Sequence, residues 1–160
     1  MVPRIACATA LAAATLGVLA PASVGTPSLG DPDFKGTERK GPQANVKILF
    51  RVVENGGARK GIVFQARDLQ LACNDGSERR ITLEPLSIPF ESRNQFRREV
   101  HSVDDQGTEV FVEVDGRFTS PRRVRGGLLY ILDTANPPAT TGPPDCSTRG
   151  RVFWKAQRVG

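Results

Sequence analysis

TEVFVEVDGRFT, residues 108–119, alternates with a period of two. Val110, Val112, Val114 and Phe118 share one face, and Glu113, Asp115 and Arg117 share the other. Successive side chains of an extended chain point to opposite sides, so this stretch predicts a strand with one face in a core and one in water. Gly116 falls on the apolar face, where a missing side chain marks a bulge or a close neighbour. A turn at Asp115-Gly116 is the competing reading of the same two residues.

The same period continues in both directions. Downstream, Val124, Leu128, Tyr130 and Leu132 share a face while Leu129 and Ile131 occupy the other, the pattern of a strand central to its sheet. A loop rich in Pro, Thr and Gly follows, TANPPATTGPPD, and the chain ends with Val152, Trp154 and Ala156 in alternation. Trp154 and Tyr130 are both expected to be buried. Upstream, residues 91–107 read as a charged edge strand centred on Phe96 and Val100, with a short helical turn as the alternative. Pro89 cannot donate to a ladder, so Leu86, Ile88 and Phe90 around it belong to an edge or a strand end. Ile81 and Leu83 share a face. Across residues 62–73, Ile62, Phe64 and Ala66 keep one phase and Leu69, Leu71 and Cys73 the other. The flip near Arg67-Asp68 predicts a bulge or a bend. Glu54-Asn55-Gly56-Gly57 and Asn74-Asp75-Gly76-Ser77 read as hairpin turns. In VKILFRVV, residues 46–53, Val46, Ile48, Phe50 and Val52 share a face. About seven short strands without an intervening amphipathic helix predict an all-β domain over residues 46–158, an immunoglobulin-like β-sandwich. No Trp lies between Cys73 and Cys146, so an antibody-type domain is not indicated.

The first 22 residues carry a different signal. Arg4 precedes an apolar run of residues 5–20, and Ala20-Pro21-Ala22 has the small-x-small form of a cleavage site. The run is alanine-rich and shorter than the roughly 20 residues of a membrane span. Residues 1–22 therefore read as a secretory signal peptide, with cleavage after Gly25 as the alternative site. An uncleaved anchor is the competing reading. Residues 23–45 hold Gly, Pro, Ser and mixed charge with scattered apolar residues, and read as a flexible tether. Removal of the signal takes Cys7 with it and leaves Cys73 and Cys146. Two cysteines in an oxidising compartment pair most simply as one disulfide, worth about 4 kcal/mol by loop entropy. The formal charge falls from +5 to about +4.

Several chemistries are excluded or disfavoured. His101 is the sole histidine, which excludes a multi-histidine metal site and leaves a nucleophilic triad one candidate base. Its sequence neighbours Glu99 and Ser102 point differently on a strand, and no G-x-S-x-G elbow is present. Asp104, Asp105, Glu109 and Glu113 could supply paired carboxylates for glycoside hydrolysis, but Glu113 and Asp115 also alternate as a solvated strand face does. Asp31-x-Asp33 and Asp104-Asp105 lack calcium-loop spacing. No phosphate-binding glycine loop or zinc spacing occurs, and no cofactor is expected. The pI near 9.6 rests on 17 Arg against 5 Lys. Arg122, Arg123 and Arg125 cluster, as do Arg97 with Arg98 and Arg79 with Arg80. Few aromatics accompany them, and acids are interspersed, so nucleic acid is disfavoured. Arg122, Arg123 and Arg125 are the candidate patch for anionic wall polymers or lipid headgroups.

The C-terminal half also carries a recurrent series: Val114-Asp115-Gly116-Arg117-Phe118, Val124-Arg125-Gly126-Gly127-Leu128, then Cys146 and Trp154-Lys155-Ala156. It resembles small secreted β-sandwich domains of unknown function from high-GC bacteria, over residues 46–158. The resemblance implies structural roles for Cys73, Cys146 and Trp154 and supplies no catalytic residue. The proline loop before Cys146 and the spacing from Cys146 to Trp154 depart from that pattern. The expected function is an exported, non-enzymatic module, binding a polymer or protein at the cell envelope. The alternatives are an extracytoplasmic hydrolase and a purely structural surface domain. Intact mass tests the processing. The secreted chain is expected to start after Ala22 and to resist thiol alkylation until a reductant is added, whereas a secreted chain retaining Met1 contradicts signal cleavage.

Overall fold

The computed structural model describes residues 28–38, 43, 45–103, 107–133 and 145–160. The signal segment 1–22 and the Asp104-Asp105 pair lie outside the described residues, as does most of the proline loop. The chain is all-β. Its strands are β1 (Phe34–Glu38), β2 (Lys47–Asn55), β3 (Ala58–Arg67), β4 (Leu69–Cys73), β5 (Glu78–Ile81) and β6 (Leu86–Ser92). They continue as β7 (Gln95–Val103), β8 (Glu109–Ser120), β9 (Arg123–Asp133), β10 (Cys146–Ser147) and β11 (Val152–Arg158). Among the described residues, no helix is long and apolar enough to cross a membrane.

All eleven strands belong to one antiparallel sheet. The pairing runs β1-β2-β3-β6-β7-β8-β9, and β11 bonds to β9 on one side and β1 on the other. Eight strands thus form a closed up-and-down circuit. The immunoglobulin-like division of about seven strands into two sheets is not what these pairings make. Alternation alone specifies which residues face inward. It does not distinguish two facing sheets from one sheet curled on itself, since both bury every second residue.

Two further expectations change with the circuit. Phe34–Glu38 lies within the stretch read as a tether, yet it forms β1 between β2 and β11. Leu29 and Phe34 are buried, so the folded unit begins upstream of Val46. A five-residue strand with one aromatic anchor carries too little periodicity to register, but it closes the circuit. Strand β7 spans the ambiguous charged segment and is not an edge, because it pairs with β8 along its whole length and with β6 at one end. The β6–β7 junction consists of Phe90↔Phe96 and Ser92↔Gln95 around a bulge. Further along, the Arg98 side chain donates to the Ser87 carbonyl at 2.7 Å. Pro89 stands at the last pair of the β3–β6 ladder, opposite Gly61.

An eight-stranded barrel has an interior just wide enough for side chains to fill. Here Phe34, Phe50, Phe64, Phe96, Phe118 and Trp154 fill it, all buried. Phe34 stacks on Phe50 with centroids 4.6 Å apart, and Phe96 lies nearly parallel to Trp154 at 6.4 Å. Tyr130 is half-buried. One register row explains how the two largest rings fit. Phe96, Gly116, Gly126 and Trp154 follow one another across β7, β8, β9 and β11. The two outer rings fold over the two bare glycines. A Cβ on Gly116 would stand 2.1 Å from the Phe96 ring, and one on Gly126 would stand 2.4 Å from Trp154 and 2.0 Å from the Asp115 carbonyl. Gly116 is therefore neither a turn nor a bulge but the seat of a neighbour's ring.

One end of the barrel is covered by a flange. Asp68, at φ 58°, ends β3 and turns the chain into β4, which carries the phase flip. Leu69 and Leu71 enter the core, β5 pairs on one side of β4, and β10 pairs on the other. Strand β10 supplies two residues, and the buried Gln43 amide continues where it stops. Its Oε1 accepts from the Gln70 N–H at 2.8 Å and its Nε2 donates to the Gln70 carbonyl at 2.5 Å, as a paired strand would. Cys73 faces Cys146 across β4 and β10, and the two form a disulfide.

The glycine row makes a specific prediction. Gly116→Ala and Gly126→Ala are each expected to destabilise by about 1–3 kcal/mol in urea unfolding. Adding Phe96→Leu to Gly116→Ala recovers part of the loss, since only the ring is displaced. Adding Trp154→Leu to Gly126→Ala recovers less, because the Asp115 carbonyl still blocks the methyl group.

Candidate functional site

The outward phase of β7, β8, β9 and β11 carries the charge that the inward phase excludes. A groove of about 680 Å³ crosses this outer wall, bounded by Glu91, Arg97, Arg117, Arg125, Arg151 and Phe153. Its charges divide into a neutralised part and a free part.

The neutralised part centres on Glu113. Its carboxylate is 14% exposed and meets Arg97 at 3.0 Å and Arg151 at 3.1 Å. Arg151 also pairs with Asp115. Arg151, the residue before β11, reaches both carboxylates by crossing β9 over Gly127, where a Cβ would stand 2.2 Å from its Nε. Gly127 is thus bare on the outside for the same reason that Gly126 is bare on the inside. The hydrogen bond from Arg151 is the main cause holding the Glu113 carboxyl below its ordinary range; burial opposes it, and the charges of Arg151 and Arg97 assist. The hydrogen bond to Glu99, followed by the Glu113 charge, raises the Arg97 guanidinium. The Glu113 carboxyl is therefore held ionised by arginines and is not poised to give or take a proton near neutrality.

The free part begins one register row away. Arg117, Arg125 and Lys155 stand side by side on β8, β9 and β11, with Thr37 of β1 next in line. The following row brings Arg123 beside Gln157, and Gln157 beside Lys35. All five cations are exposed, and among the described residues none of them joins an ion pair. Phe153 flanks them on β11, 59% exposed and opposite Gly127.

The sequence-based patch is therefore partly placed and partly redrawn. Arg123 and Arg125 lie on this wall, while Arg122 sits in the turn after β8 and contributes a backbone carbonyl to Arg158 N–H at 3.0 Å. Arg117, Lys155 and Lys35 were missed because their neighbours come from other strands. The outward phase of Arg117 and Lys155 was legible but their register was not, and Lys35 lay in the stretch read as a tether.

The remaining candidates lie elsewhere. His101 is exposed on β7 and its Nε2 contacts Glu109 Oε1 on β8. Ser102 is exposed beside it on the same strand. Among the described residues, no three His, Cys, Asp or Glu side chains gather as metal ligands. The barrel mouth opposite the flange holds a second hollow of about 710 Å³, bounded by Arg59, Phe90 and Phe118. The Arg59 guanidinium sits 5.4 Å above the Phe118 ring there, and the aromatic core fills the space beneath. No protein family, curated protein or solved structure matches this chain.

Glu113 gives the wall a defined pH response. Its folded pKa is depressed, so its stabilisation is complete above the unfolded value of about 4.3 and is lost as pH falls through the folded value. Glu113→Gln is expected to cost about 1–2 kcal/mol at pH 7. The gap from the parent should close as acid protonates Glu113; a gap independent of pH below 4.5 contradicts the assignment.

Proposed function

We propose that the protein is an exported, non-enzymatic module that associates with the cell envelope by holding anionic groups on its outer wall. The observation that carries this reading is the row of exposed cations Arg117, Arg125 and Lys155, extended by Arg123 and Lys35, none of which joins an ion pair among the described residues. Side-chain charge left without counter-carboxylates raises the local concentration of anions. Of the acids on the groove, Glu113 and Asp115 are already engaged by arginines, and Glu91 stands on β6, two strands from Arg117 on β8. Export is supported by the form of residues 1–22 and by the Cys73–Cys146 disulfide, which suits an oxidising compartment. The likeness to small secreted β-domains of high-GC bacteria belongs to the same reading. A binding role is favoured over hydrolysis because Glu113 and Asp115 on the groove are salt-bridged and His101 stands apart from it on β7.

The test uses the processed protein and washed cell-envelope fractions. Retention is expected at low ionic strength, with release as salt shortens the screening length to about 3 Å near 1 M. Arg125→Glu with Lys155→Glu should abolish retention while leaving the fold intact, because both side chains are solvent-exposed. Retention that survives both treatments refutes the electrostatic reading.

A further inference from the structure

We infer that the cationic row on β8, β9 and β11 is a binding track for a linear acidic polysaccharide, one whose sugar units each carry a carboxylate. The inference rests on the envelope-binding reading above and names its ligand class.

Three features of the wall select this chemistry. The first is spacing. Arg117, Arg125 and Lys155 occupy one register row, so adjacent cations are set by the strand separation of about 4.8 Å. A row of cations running across the strands suits a linear polyanion laid in the same direction, whose charges also repeat along one line. The second is an apolar surface at the right place. Phe153 precedes Lys155 by two residues on β11, so it shares the outer face with it. It is 59% exposed beside the Arg151 side chain, which passes over its ladder partner Gly127. A ring face beside a cation accommodates the C–H face of a sugar while the cation holds the acid. A phosphate-only polymer has no use for that ring. The third is the fork of arginine, which matches a carboxylate with two parallel hydrogen bonds. Arg117 and Arg125 present this group without an intramolecular partner among the described residues.

The neutralised part of the groove completes the arrangement. Arg151 crosses Gly127 to hold Asp115 and Glu113. The carboxylates that would otherwise repel a polyanion alongside Phe153 are therefore already paired.

The experiment measures binding of the processed protein to polygalacturonate, polyphosphate and neutral dextran by isothermal titration calorimetry. The parent is expected to bind polygalacturonate and not dextran. Arg125→Ala with Lys155→Ala should weaken polygalacturonate binding tenfold or more. Phe153→Ala should weaken it severalfold while leaving any polyphosphate binding unchanged, and Phe153→Trp should restore it. All three residues are exposed, so far-ultraviolet circular dichroism should show the parent fold in each variant. Binding of polyphosphate without polygalacturonate overturns this inference and leaves the envelope reading standing. So does polygalacturonate binding that is indifferent to Phe153 or to the Arg125–Lys155 pair. Failure to bind either polyanion, together with no retention on envelope fractions, overturns both.

Discussion

Strand β11 hydrogen-bonds to β1 on one side and to β9 on the other, and this double pairing turns a row of hairpins into a wall. The rest of the molecule depends on it. Its inward side chains, Val152, Trp154 and Ala156, fill the barrel, and the largest of them fits because β9 offers Gly126 in the same row. On its outer face Phe153, with Arg151 just before the strand, borders the groove, and Lys155 continues the cationic row. Loss of β11 would open the circuit, expose the aromatic core and dismantle the charged surface together. The short β1 matters for the same reason: without its five residues, β11 and β2 would each keep an open edge.

The elements visible in the sequence were those that repeat. The phases of β2, β8, β9 and β11 follow from alternating apolar residues, and so does the division of each strand into an inner and an outer face. The bend at Asp68 was visible as a change of phase. Closure was not legible, because nothing in the composition of β11 says that it has partners on both sides. Strand β1 was hidden in a segment of turn-forming residues, where one Phe provides the anchor. Gly116 was noticed as a gap in an apolar pattern, but its meaning, like that of Gly126, required knowing which ring lies opposite. The same limit governed the site. Arg123 and Arg125 are near each other in sequence, whereas Arg117, Lys155 and Lys35 reach them only through register.

The outer wall shows how a modest net charge can still produce a directed surface. Arginines pair with Glu113 and Asp115 on one side of the groove, while Arg117, Arg125 and Lys155 join no ion pair among the described residues. Arg151 makes the division by spanning a strand, which is possible only because Gly127 leaves its path open. Salt bridges of this kind on a surface contribute little to stability individually. Their effect here is to remove negative potential from the neighbourhood of Arg117, Arg125 and Lys155.

The β6–β7 junction has a consequence of its own. Most neighbouring strands around the barrel are laced along several residues, but these two are joined at Phe90↔Phe96 and Ser92↔Gln95. Past that point the arm of Arg98 spans to Ser87. A cylinder under thermal agitation parts where its lacing is sparsest, and regions with few paired backbone groups open at lower free energy than the core. The barrel therefore has a built-in line of parting. Amide hydrogens of the far half of β7 on the β6 side should trade with solvent while those of β8 and β9 stay protected, and the wall can breathe there without releasing the surface carried by β11.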